Sequence, residues 1–100
     1  MKKYNVILSG AAEIDVKNYI DFITNEYSAP LTALRHANEI KECFLKLESM
    51  AGIFRTDKRL SLLRYGLNVR TYKYKKMSVI YTIYERTVFV HRLIPSSTIL

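Results

Sequence analysis

One hundred residues, about half of them apolar or aromatic and only five of them Gly or Pro, are expected to form a single globular domain spanning 1–100 rather than a disordered chain. The net charge of +7 is divided unevenly: residues 1–50 hold six Lys or Arg against seven Asp or Glu, whereas residues 51–100 hold ten against two. Evenly spread charge would serve solubility alone; this segregation points to a polyanion or an acidic protein as partner.

The chain opens on "MKKYNVILSG". Its apolar run is too short for a secretory signal, and Glu13 and Asp15 follow at once, so the expected location is the cytoplasm, with no membrane partner. "KYNVIL" reads as a strand ending at Ser9, whose hydroxyl can cap a helix. Over roughly 11–26, Ala12, Val16, Tyr19, Ile20, Ile23 and Tyr27 recur at spacings of three and four, an amphipathic helix with acids in its first turn. "SAP" makes a turn in which Ser28 is a candidate cap and Pro30 suits a first helical turn. A second helix runs to about Met50 with Leu34, Ala37, Ile40, Phe44 and Leu47 as its stripe. The short link makes the pair an antiparallel hairpin that needs a surface to cover it.

Residues 51–66, "AGIFRTDKRLSLLRYG", read as a basic, partly packed connection with a helical turn. Three strands follow, Val69–Lys75, Ser78–Tyr84 and Thr87–Leu93, with turns at Lys76–Met77 and Glu85–Arg86. "IPSSTIL" reads as a tail, with Pro95 ending strand pairing. The expected fold is α+β, in the order β-α-α-β-β-β, with a helical hairpin packed on one face of a mostly antiparallel four-stranded sheet.

"TYKYKK" (71–76) focuses the functional question. A period of two sends Tyr72 and Tyr74, with Val79, Tyr81 and Ile83, toward the helices. Thr71, Lys73, Lys75, Ser78 and Thr82 are then expected on an open face, with the two lysines about 7 Å apart along the strand. Arg55, Lys58, Arg59, Arg64 and Arg70 add to the same positive half, as candidate residues for binding a target or a protein partner. A carboxylate pair, a Gly-rich phosphate loop and a metal-ligand cluster are all missing from the sequence, so neither cofactor nor metal is expected. Cleavage of RNA would need a base, a donor for the leaving oxygen and cations at the phosphorane. His91, Lys73 and Lys75 are the weak candidates for that work. His91 reads first as a hydrogen-bonded structural residue, His36 as a boundary residue, and Cys43 as small inert packing.

"YNVILSGAAEIDVKNYIDFI", "GLNVRTYKYKKMSVIYTI" and "ERTVFVHRLI" lie collinear over nearly the whole chain, and together they resemble the RelE/ParE superfamily of bacterial type II toxin–antitoxin systems. The resemblance implies a small cytoplasmic growth-inhibiting toxin neutralised by a cognate antitoxin. RelE-like members cleave messenger RNA on the ribosome through basic residues on the open sheet face. ParE-like members inhibit DNA gyrase without that cleavage set. Lys73 and Lys75 fall where RelE-like members place cations. Ser78, however, stands about where many have an arginine, and "LIPSSTIL" lacks the His-Tyr or Tyr-bearing element of the nuclease branch. "PSSTI" also departs from the common ParE-like ending. These departures tilt the reading toward a non-nuclease, ParE-like inhibitor, with a RelE-like endonuclease or a non-toxic basic RNA-binding module as the alternatives.

Overall fold

A serine opens the first helix. Ser9 Oγ accepts from the Ala12 N–H at 3.0 Å, the expected cap, and donates to the His91 carbonyl at 2.9 Å. One hydroxyl thus joins the end of strand β1 (Asn5–Leu8) and the start of helix α1 (Gly10–Tyr27) to the far end of the sequence. The computed structural model describes residues 3–27 and 30–100, without the Tyr27 side chain; the candidate cap Ser28 lies outside them.

Along α1, Ala12 and Ile23 are buried, and Val16 and Tyr19 pack against the main core, as their spacing predicts. Helix α2 (Pro30–Met50) departs from its expected stripe. Ala33, Ile40, Cys43 and Leu47 are buried, whereas Leu34 is 57 % exposed. Ala33, Ile40 and Leu47 recur every two turns, and Leu34 lies about 100° round from Ala33.

Strands β2 (Arg70–Tyr74), β3 (Met77–Tyr84) and β4 (Thr87–Pro95) form an antiparallel meander, and β1 joins the outer edge of β4 in parallel. The order β1-β4-β3-β2 gives the expected α+β fold. Val79, Tyr81, Val88, Val90 and Leu93 meet Ala12, Ile40 and Leu47 in the main core. Tyr81 is fully buried and its hydroxyl donates to the Ala51 carbonyl at 2.7 Å.

Three expectations change. First, β2 stops at Tyr74, and the turn is Lys75–Lys76 with Lys75 at φ 50°. Non-glycine residues seldom adopt that conformation, so nothing at Lys75 announced it. Second, the face away from the helices is not open. Leu62, Val69 and Ile80 form a second buried cluster there, with Tyr65, Ile94 and Ile99 packed against it. The cover comes from a 3-10 turn, Leu60–Tyr65, and from the residues after β4. Gly66 ends that turn at φ 128°, and its N–H donates to the Leu63 carbonyl at 3.0 Å. Third, Pro95 still pairs with Met77, so the last residues form a 3-10 turn, Ser96–Thr98, instead of a loose tail.

A bulge also shifts the last strand. Ile80 pairs with Arg92 and Tyr81 with Val90, which leaves His91 as the extra residue. The shift of parity puts Leu93 on the core face and Arg92 opposite Ile80, and the Arg92 side chain nevertheless reaches α1. Its Nε and Nη2 lie 2.6 and 3.0 Å from the two Asp15 oxygens, and the Leu93 N–H also donates to Asp15 Oδ2 at 3.0 Å.

Candidate functional site

From Lys58 to Tyr84 the sequence holds seven Lys or Arg and no Asp or Glu. The fold disperses this stretch. Arg70 turns to the helix side of β2, where Nη1 donates to the carbonyls of Gly52 (3.3 Å) and Phe54. It ties down the connection after α2 and does not contribute to an open cationic face. Arg59 forks onto Asp57, with Nη2 2.6 Å from Oδ2 and Nε 3.0 Å from Oδ1. Thr71 Oγ1 donates to the same carboxylate at 2.9 Å. Together these bonds pull the Asp57 carboxyl down to about 2, with the Arg59 guanidinium as the main cause. The Arg64 guanidinium lies 5.2 Å from the centre of the Tyr65 ring. Arg55, Lys58, Lys73 and Lys76 are exposed.

Lys75 is the main correction. Its turn conformation swings the side chain back to α2, where Nζ lies 2.9 Å from Glu39 Oε2 and 5.5 Å from the Tyr74 ring centre. Tyr74 donates its hydroxyl to the same carboxylate, and His36 Nδ1 is 3.9 Å from it. The Tyr74 hydrogen bond, then Lys75, hold the Glu39 carboxyl below its ordinary range. Burial, reinforced by the Glu39 bond, pushes the Tyr74 phenol well above its own. Tyr72 packs beside this group, stacked on Phe54 at 4.6 Å with Lys46 Nζ 5.8 Å from its ring centre. Of Lys73 and Lys75, only Lys73 stays within β2, where it pairs with Ser78.

Next to the Glu39 cluster lies a cleft of about 730 Å³, between the second half of α1, the β2–β3 hairpin and Pro95–Ser97. Tyr19, Phe22, Ile23 and Met77 line it with apolar surface, and Lys73, Lys75 and Lys76 bring positive charge to it. Glu26 and His36 also line it. A neighbouring groove shares Tyr19, Phe22, Met77 and Pro95 and continues to Asp15 and Arg92. Phe22 is 58 % exposed although it is large and apolar. An apolar trough with three lysines at one end suits a protein segment with apolar anchors and nearby acids.

The opposite sheet face offers little chemistry. His91 Nε2 is 2.8 Å from Thr82 Oγ1, and the ring stacks on Tyr65 with centroids 5.2 Å apart. Burial lowers its pKa, so the ring is neutral at neutral pH. Ser78 is buried, 2.6 Å from Ser96 Oγ. Lys73 and Lys75, the other catalytic candidates, line the cleft, which His91 does not, so the three do not converge.

The family model described as "ParE toxin of type II toxin-antitoxin system, parDE" matches residues 6–100. The chain belongs to the ParE toxin family. A solved structure titled "Chromosomal ParDE TA system from P. aeruginosa" superposes on this ParE-family chain with a TM-score of 0.75, over 93 % of this chain and 96 % of that one. At 16 % identity that likeness is one of fold. Comparison with curated protein sequences gives no significant match.

Among the described residues of this ParE-family chain, no cluster of three or more His, Cys, Asp or Glu could hold a metal, and no helix is long and apolar enough to cross a membrane. Sequence reasoning missed Phe22, Met77 and Lys76 as lining of the cleft. Phe22 carried a usable signal, since it is a large apolar residue lying off the helical stripe. Lys76 had none, because its place depends on where the turn falls.

Proposed function

We propose that this ParE-family chain is a cytoplasmic, growth-inhibiting toxin that acts by binding a protein target, DNA gyrase, without cutting RNA. Its cognate antitoxin would neutralise it by laying an acidic, apolar-anchored segment in the cleft between α1 and the β2–β3 hairpin. The observation that carries the reading is the dispersal of the candidate chemical groups. His91 is engaged by Thr82 and Tyr65, Arg70 by backbone carbonyls, and Lys75 by Glu39. Among the described residues His91 and Arg70 lie outside the cleft that Lys73, Lys75 and Lys76 line, whereas cleavage to a cyclic phosphate would require base, leaving-group donor and cations at one point. The apolar cleft with lysines at its end is a protein-binding arrangement instead.

Two assays on purified chain test this. Supercoiling by DNA gyrase should be inhibited in a dose-dependent way, and the antitoxin should relieve it. Toe-printing on ribosomes translating a defined message should show no new 5′ ends. Cleavage at defined codons with gyrase unaffected would establish the RelE-like alternative. Normal growth of cells holding soluble, folded chain would instead favour the non-toxic RNA-binding reading.

A further inference from the structure

The 3-10 turn Leu60–Tyr65 presents a feature that neither the cleft nor the two cores use. In a 3-10 helix, side chains three apart eclipse one another. Leu62 and Tyr65 are one such pair and face the sheet, with Leu62 buried against Val69 and Ile80. Leu60 and Leu63 are the other pair, and they face outward, 83 % and 38 % exposed. Leu67, just past Gly66, is 84 % exposed. Ser61 donates to the Leu100 carbonyl at 2.9 Å and so holds a further leucine, 89 % exposed, next to the turn. Three exposed leucines thus project from one short segment, with a fourth, Leu100, tied beside it through its carbonyl.

Their surroundings are positive. Lys58, Arg59 and Arg64 lie in the turn or directly before it, and Asp57, the nearest carboxylate in sequence, is engaged by Arg59 and Thr71. Two copies meeting through this ridge would oppose these cations to each other, which disfavours self-association. A six-residue turn also lacks the long apolar face with which an interfacial helix enters a lipid surface. The charge pattern instead complements a protein.

We propose that the Leu60/Leu63 ridge, with Lys58 and Arg64 beside it, docks into an acid-rimmed apolar groove on the protein that this toxin inhibits. The inference rests on the reading of the chain as a protein-binding toxin, with the antitoxin in the cleft. The ridge shares no residue with that cleft, so the two surfaces can be altered separately.

The test is a set of full-length variants induced in a bacterial host and also purified. Leu60→Ser with Leu63→Ser should reduce growth inhibition at least about tenfold in the inducer titration. Its melting temperature should stay within about 4 °C of the parent, because the ridge is exposed, and its affinity for purified antitoxin should not change. Lys58→Glu with Arg64→Glu, which leaves the leucines in place, should reproduce the loss. Full toxicity in either folded variant overturns the ridge proposal alone, whereas a harmless parent chain overturns both readings. Loss of antitoxin affinity would reassign the ridge to the antitoxin. Ridge-dependent sedimentation of the parent with phosphatidylglycerol vesicles would reassign it to a lipid surface, and either result refutes target docking.

Discussion

Replacing Asp57 with Asn tests whether one carboxylate holds the basic connection against the sheet. The side chain is 15 % exposed and receives a forked bond from Arg59 and a hydroxyl bond from Thr71. Its own N–H donates to the Val69 carbonyl at 2.7 Å, and the neighbouring Thr56 bridges Arg70, so the residue lies where the connection joins β2. A fall of its pKa from 3.8 to about 2 sets an upper bound of about 2.4 kcal/mol on what ionisation contributes. Arg59 is 42 % exposed, and solvent screening brings that to about 1 kcal/mol. The weakened Thr71 bond adds up to about 1 kcal/mol. We therefore expect Asp57→Asn to lose about 1–2 kcal/mol at pH 7, seen in urea melts as a lower midpoint with an unchanged slope. Because folding lowers this pKa, the ionised carboxylate stabilises fully above about pH 5. The contribution falls as pH drops through 3.8 toward 2. The gap between parent and variant should thus narrow from pH 7 to pH 3. An equal gap at both values would refute the ion pair as its source.

The other expectations are more direct. Lys73→Ala with Lys76→Ala should weaken antitoxin binding at least about tenfold in calorimetry, while stability changes by no more than about 0.5 kcal/mol; unchanged affinity would remove the lysine end of the cleft from the interface. Tyr81→Phe leaves the Ala51 carbonyl buried without its donor and should cost about 1–3 kcal/mol in chemical denaturation. His91 has a lowered pKa in the fold, so its neutral form stabilises above the unfolded value near 6.5 and loses that contribution as pH falls below it. Parent melting temperature should therefore drop on acidification from pH 7 to 5 more than that of His91→Gln.

Much of this fold was legible because local signals agreed with the tertiary outcome. The Ser9 cap, the α1 stripe and the inward tyrosines of β2 each follow from spacing alone. The misses share a cause, which is that one residue's conformation reassigned its neighbours. Lys75 at φ 50° ended β2 a residue early and turned its own side chain to Glu39. The bulge at His91 flips the parity after Val90, so Leu93 enters the core and Arg92 falls opposite Ile80, a change that no alternation pattern shows. The 3-10 spacing of Leu62 and Tyr65 was present in the sequence, but a period of three over six residues is too short to stand out from an irregular basic segment. The cleft was legible only in its lysines, since its apolar lining comes from three separate elements.

The parallel pairing of β1 with β4 has a consequence for how the toxin is born. Asn5 lies opposite Thr87 and Leu8 opposite Val90, so the strand made first waits for the strand made last. The helical hairpin needs only neighbouring sequence and can form early, but its sheet-facing side has no complete surface until β4 emerges. During synthesis the sheet therefore stays incomplete until β4 is made. A nascent chain arrested just before Val88 should be readily cleaved by protease, and release of the remaining residues should protect it; resistance before β4 has emerged would show that the waiting strand is not what completes the fold. The interval between a finished hairpin and a finished sheet is one in which a partner can reach the toxin before it is whole.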